Sequence, residues 1–249
     1  MTVTCDATTL ERPVPECSIE EAEASRPAFS LALQRVESPL RDTTVLASLK
    51  ARSIFFAREL RHGAKHHDPD HPLRVLELGG DGRELAEFLL DSRGYTFVDA
   101  ALVSSDVCPL GCAVQYAFRL DDGVRFQLDA RDPLSMLHDV ERVVWHDRDL
   151  VFVPTLLDFI TDAQASHVLD RVLRHLRPGG IMIAATFDDG IPSGELDLAA
   201  EVIGTRPHPR SASALEALRR GSELACHENV RVLERGPNRY LFLRRRPTA

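Results

Sequence analysis

Three stretches in the first half of the chain carry residues suited to holding a nucleoside. In LELGGDGREL (76–85) an apolar run contains Glu77 and leads into Gly79, Gly80 and Gly82. Glycines let the backbone come close to a ligand, and a helix starting just beyond them offers free N–H groups. Asp99 lies near the end of YTFVDA (95–100). A carboxylate there accepts both hydroxyls of a ribose, and Asp106 is the rival if that strand runs further. Asp129 closes VRFQLD (124–129) and Ala130 follows it. An aspartate with a neighbouring backbone amide can read the amino and ring nitrogens of adenine. As a dinucleotide fingerprint the glycine turn is poor: Gly80 and Gly82 fit the first two glycines, but Leu85 stands where the third belongs. A nicotinamide-dependent oxidoreductase is therefore a rival reading.

A second set could face an acceptor molecule. Asp158 follows DLVFV (149–153) by a few residues and is the first choice for a substrate- or cofactor-facing polar group, with a capping carboxylate as the plain alternative. Arg210 pairs either with an anionic acceptor or with a structural carboxylate. Asp188 and Asp189 follow the next strand in a DDG turn. His146 precedes its strand, at the wrong end of a parallel sheet for chemistry. His167 is expected on a solvent-facing helix position, and Trp145, the one tryptophan, in the core.

The elements that must position these residues alternate. Strand-like runs fall at 74–78, 95–100, 124–129, 149–153 and 181–187, and helix-like runs at 83–90, 109–120 and 164–176. Strands apolar on both faces, separated by helices, make a parallel sheet covered on both sides. The last two runs, 230–233 and 240–243, join through a GPN turn as an antiparallel hairpin. Helical spacing of Val45, Leu46, Leu49, Phe56 and Leu60 predicts a further helix over 42–62, ended at Gly63. Residues 1–27 read as a loose arm, 28–70 as a helical extension and linker, and 71–249 as the main domain. Within that domain, 188–223 is a long insertion with a helix at 211–220, placed to act as a lid.

The chain has 249 residues and a formal net charge of −8, which disfavours a nucleic-acid partner held through phosphates. No apolar run is long enough for a membrane span, and the N-terminus lacks a signal-peptide pattern. Five scattered cysteines read as reduced thiols, and no residue cluster implies a metal. A cytoplasmic protein is expected, and a homodimer is compatible with the sequence.

The second half resembles a known family. DLVFVPTLLDFITD (149–162), VLDRVLRHLRPGG (168–180) and IMIAATF (181–187) are similar to the strand-four block, helix, (K/R)PGG turn and strand five of class I S-adenosylmethionine-dependent methyltransferases. The resemblance implies a Rossmann-like α/β sheet in the order 3-2-1-4-5-7-6, with S-adenosyl-L-methionine as cofactor. It gives Glu77 the task of holding the turn, and it sets Gly79, Gly80 and Gly82 against the methionine and ribose, Asp99 on the ribose, and Asp129 with Ala130 on the adenine. The turn departs from the family's G-x-G-x-G form and reads as one residue short. A narrower resemblance, in RELAEFL, LLDFITD and HPRSASALEAL, is to bacterial extracellular-factor type enzymes associated with 3-hydroxy fatty acid methyl esters. The function implied is methyl transfer to a small-molecule or lipid-like acceptor, at a carboxylate or hydroxyl oxygen. The alternative is a protein of this fold that binds the cofactor without transfer, or serves as a scaffold.

Overall fold

The computed structural model describes residues 39–65, 70–80, 82, 85, 88, 98–103, 124–129, 133–136, 147–227 and 229–246. One seven-stranded sheet organises them. Its strands are β1 (Leu73–Leu78), β2 (Val98–Val103), β3 (Val124–Asp129), β4 (Arg148–Val153), β5 (Leu176–Phe187), β6 (Val230–Arg235) and β7 (Asn238–Arg244). They lie in the order β3-β2-β1-β4-β5-β7-β6. The first five run parallel, and β7 pairs antiparallel with both β5 and β6.

Alternate residues of the buried strands feed two cores, as a period of two requires. On one face Leu76, Leu78, Val151, Val153 and Met182 meet the helix α2 (Asp162–His175) through Val168, Leu169 and Val172. Thr161 and Gln164 close a reciprocal capping box at the start of α2. On the other face Val75, Leu102, Phe152 and Tyr240 meet the helix α1 (Thr44–Lys65) through Phe55, Phe56 and Leu60. Phe55 lies 4.0 Å from the Tyr240 ring. No helix among the described residues is long and apolar enough to cross a membrane.

Two expectations need correction. The second strand, described over Val98–Val103, runs on past its expected end at Ala100. The insertion holds two helices, α3 (Ser193–Ile203) and α4 (Ala212–Arg220), not one. A third small core joins α3 to the start of α1: Leu40, Val45 and Leu46 meet Leu196 and Ala199 over Phe187 and Ile191. Glu195 of α3 also accepts the Thr44 backbone N–H at 2.5 Å, capping α1. The (K/R)PGG segment lies within β5, with Gly179 at φ +84°. A Cβ on Gly180 would come within 2.8 Å of the Arg148 carbonyl and 2.9 Å of the Arg177 carbonyl, so close backbone approach dictates glycine there. The expected arm at 1–27, the helix at 109–120, Asp106, Ala130, Trp145 and His146 lie outside the described residues.

Candidate functional site

The carboxyl ends of β1 to β5 form one edge of the sheet, where ligands of open α/β sheets bind. Gly79 leaves β1 there at φ +69°, and its N–H donates to the Val103 carbonyl at the end of β2 (2.7 Å). Val103 is in turn the register partner of Asp129, the last residue of β3. The glycine turn, the end of β2 and Asp129 are thus brought together.

Glu77 is fully buried beneath the turn. One carboxylate oxygen accepts the Gly82 N–H (2.9 Å), the other the Leu85 N–H (3.3 Å). A buried carboxylate is tolerable only with such partners, and here the partners are the backbone of the turn itself. Gly82 has φ +77°. A side chain on Gly80 would collide with Glu77 and Pro154, and a Cβ on Gly79 would sit 2.6 Å from the Leu156 Cβ. Packing against Leu156, Glu77 and Pro154 therefore dictates glycine at these two positions.

The segment after β4 supports the turn from beside. Thr155 donates its hydroxyl to the Gly79 carbonyl (2.7 Å). A single 3-10 turn (Leu156–Phe159) follows, with Leu156, Leu157 and Asp158 buried.

Asp99 is not at this edge. It is the second residue of β2, in register with Arg74 and Arg125 near the amino ends of their strands. Its carboxylate lies 3.7 Å from Arg148 Nη1. Arg148 opens β4, is 1% exposed, and donates to the carbonyls of Asp99 (3.1 Å) and Val75 (3.4 Å). Burial pulls the Arg148 pKa below its ordinary value, and Asp99 opposes that shift. The apolar run AALV carries β2 past Asp99, so the sequence position beyond the strand's carboxyl end belongs to Asp106, the rival.

Asp158 and Arg210, expected to face an acceptor, are both interior. Asp158 is fully buried and ion-paired with Arg52 of α1. Its Oδ1 also accepts the Phe187 N–H (2.7 Å) and the Thr186 hydroxyl (3.0 Å). A carboxylate so engaged has no face left for substrate. Arg210 is 3% exposed and donates to the carbonyls of Leu157, Ile160 (2.7 Å) and His208 (3.3 Å) and to Asp162 (2.9 Å). It ties the insertion to the segment after β4. His208 is exposed, and His167 is half-buried rather than solvent-facing. Asp188 pairs with Arg239 and accepts the Gly190 N–H (2.6 Å), which makes the DDG stretch a turn.

Sequence reasoning missed Arg52. Its guanidinium is 1% exposed and sits 4.0 Å over the Phe187 ring. It bonds Asp158, the Pro154 carbonyl (3.0 Å) and Asn238 Oδ1 (2.5 Å). Asn238 in turn donates to the Ser48 carbonyl (3.0 Å). One signal was available: Arg52 falls between Leu49 and Phe56 at spacings of three and four, on the stripe that α1 buries.

No protein-family model matches the chain, and no curated protein matches it in sequence. Solved structures do match. A possible exported protein from Bordetella parapertussis is 18% identical, with TM-score 0.58 over 83% of this chain and 70% of that one. The CurJ carbon methyltransferase is 12% identical, with TM-score 0.57 over 91% and 70%. The Burkholderia thailandensis 1,6-didemethyltoxoflavin-N1-methyltransferase, solved with 1,6-didemethyltoxoflavin and S-adenosylhomocysteine, is 18% identical, with TM-score 0.51 over 92% and 90%. By strand order, antiparallel last hairpin and these neighbours, the chain has the Rossmann-like fold of the class I S-adenosylmethionine-dependent methyltransferases.

Proposed function

We propose that the protein is an enzyme that transfers a methyl group from S-adenosyl-L-methionine to a small-molecule or lipid-like acceptor, at a carboxylate or hydroxyl oxygen. The observation that carries this reading is the glycine turn at the carboxyl edge, held by Glu77 and set beside Val103 and Asp129. Backbone alone stands at Gly79 and Gly80, which fits a ligand that must come close. Gly79, Gly80 and Gly82 would face the methionine and ribose, Asp106 the ribose hydroxyls, and Asp129 with Ala130 the adenine. When bound, the cofactor supplies a methyl group already electrophilic on a sulfonium. The protein's task is then to align the acceptor and exclude water. Asp158 and Arg210 serve it by building the wall after β4 rather than by touching the acceptor. The joined α1 and α3 cover the acceptor side, and acceptor choice resides there. A small-molecule acceptor agrees with the 1,6-didemethyltoxoflavin-N1-methyltransferase among the structural neighbours.

Titration calorimetry tests the reading. S-adenosylhomocysteine is expected to bind saturably and NADH to give no heat. Binding of NADH instead would replace the transferase by an oxidoreductase.

A further inference from the structure

Arg52 and Arg210 hold the same short segment from opposite sides. Arg52, from α1, takes the Pro154 carbonyl and the Asp158 carboxylate. Arg210, from the insertion, takes the Leu157 and Ile160 carbonyls. Between these anchors lie Thr155, which bonds the Gly79 carbonyl, and Leu156, which lies against Gly79. Pro154 closes on Gly80. The glycine turn is thus backed by residues whose own backbone is fixed by an arginine from outside the sheet.

We infer that Arg52 is a positioning residue for the glycine turn: through Pro154 and Thr155 it sets the place of Gly79 and Gly80, and so couples the seating of α1 to nucleoside binding. Arg52 does not itself reach the ligand. Its planar fork satisfies Asp158, Pro154 and Asn238 together, which a lysine's single ammonium cannot reproduce. A site held within a fraction of an ångström by such a supporting shell loses affinity when the shell loosens.

The binding arm of the test rests on the cofactor reading above, and the exchange arm does not. Arg52→Lys is compared with wild type and with Arg148→Met, which removes an equally buried arginine from the other edge. Deuterium uptake is read in ligand-free protein over peptide 79–85, clear of the Val75 carbonyl that Arg148 bonds, and S-adenosylhomocysteine affinity by calorimetry. Arg52→Lys is expected to speed exchange in that peptide and to raise Kd about tenfold, the order of effect when one buried charge-assisted hydrogen bond is broken. Arg148→Met is expected to leave both unchanged in the folded protein. If Arg52→Lys does not fold, Thr155→Val removes only the hydroxyl that reaches Gly79, and the same two shifts are expected. Unchanged exchange and affinity in whichever variant folds would overturn the inference, and so would an equal loss in Arg148→Met. If wild type binds no S-adenosylhomocysteine, the cofactor reading fails by itself, and the exchange arm alone decides the role of Arg52.

Discussion

The two edges of the parallel strands each bury an arginine, and they bury it differently. At the amino edge Arg148 belongs to the sheet itself and bonds carbonyls of β1, its neighbour, and of β2, the next strand out. Asp149 beside it accepts the Arg74 N–H at 2.8 Å and pairs with Arg177. These contacts are local to strand ends, and the result is a seal. At the carboxyl edge Arg52 comes from a helix and gathers the ends of β4, β5 and β7 with the 3-10 turn between them. The result is a scaffold beside the glycine turn. Similar ion chemistry closes one end of the sheet and shapes the other.

The largest expected effect tests whether that scaffold carries more than the seal. Asp158→Ala leaves a guanidinium buried without its carboxylate and is expected to cost about 3–5 kcal/mol in urea unfolding. Asp99→Ala removes a looser contact at 3.7 Å, and about 1–3 kcal/mol is expected. Equal losses would erase the contrast between the edges.

The next effect concerns binding. Asp106→Ala is expected to weaken S-adenosylhomocysteine by about ten- to a hundredfold, as a charge-assisted contact to the ribose would. Asp99→Ala should bind within about twofold of wild type, because Asp99 stands at the opposite edge. The reverse result would return the ribose carboxylate to Asp99 and put the ligand at the wrong end of the strands.

A smaller effect reads the packing of α1. Burial pushes the Tyr240 pKa up to about 12, against Phe55 and Phe56 of that helix. An unfolded tyrosine ionises near 10. The folded state therefore favours the neutral phenol, and this contribution is complete below about pH 10 and fades as pH climbs toward 12. Stability is expected to fall by up to about 2 kcal/mol over that window, and Tyr240→Phe should remove this part of the fall. An identical pH profile in the variant would mean that α1 leaves the phenol open to water.

Much of the architecture was legible because β1, β3, β4, β5 and the last hairpin are short apolar runs with clear punctuation. The end of the second strand was misplaced because YTFVDAALV offers no break, and Asp99 read as a stop. Its carboxylate is accommodated by Arg148, far along the chain, which no local pattern shows. The helix α3 was missed because Pro192 and Gly194 open it and its apolar residues lack a clean period; Leu196 and Ala199 are buried in a small cluster with the start of α1, Ile191 and, from the sheet, the end residue Phe187. Within the site, Glu77 and the glycines were legible from type and spacing. Asp158 and Arg210 were found as unusual polar residues in apolar blocks, but their partners lie 106 and about 50 positions away. Sequence shows that a buried charge exists more readily than what neutralises it.

Asn238 bonds Ser48 and Arg52 across 190 and 186 positions. A ribosome must therefore reach β7 before the packing of α1 can be completed, since one of its polar partners opens that strand. Until then that helix's guanidinium has Asp158 and the Pro154 carbonyl but not Asn238, and its apolar stripe lacks Tyr240 from its bed. Closing so long a loop is entropically late. The newborn protein has to keep this helix waiting, and a chain cut short before β7 would offer that sticky surface to whatever chaperone or neighbour comes by.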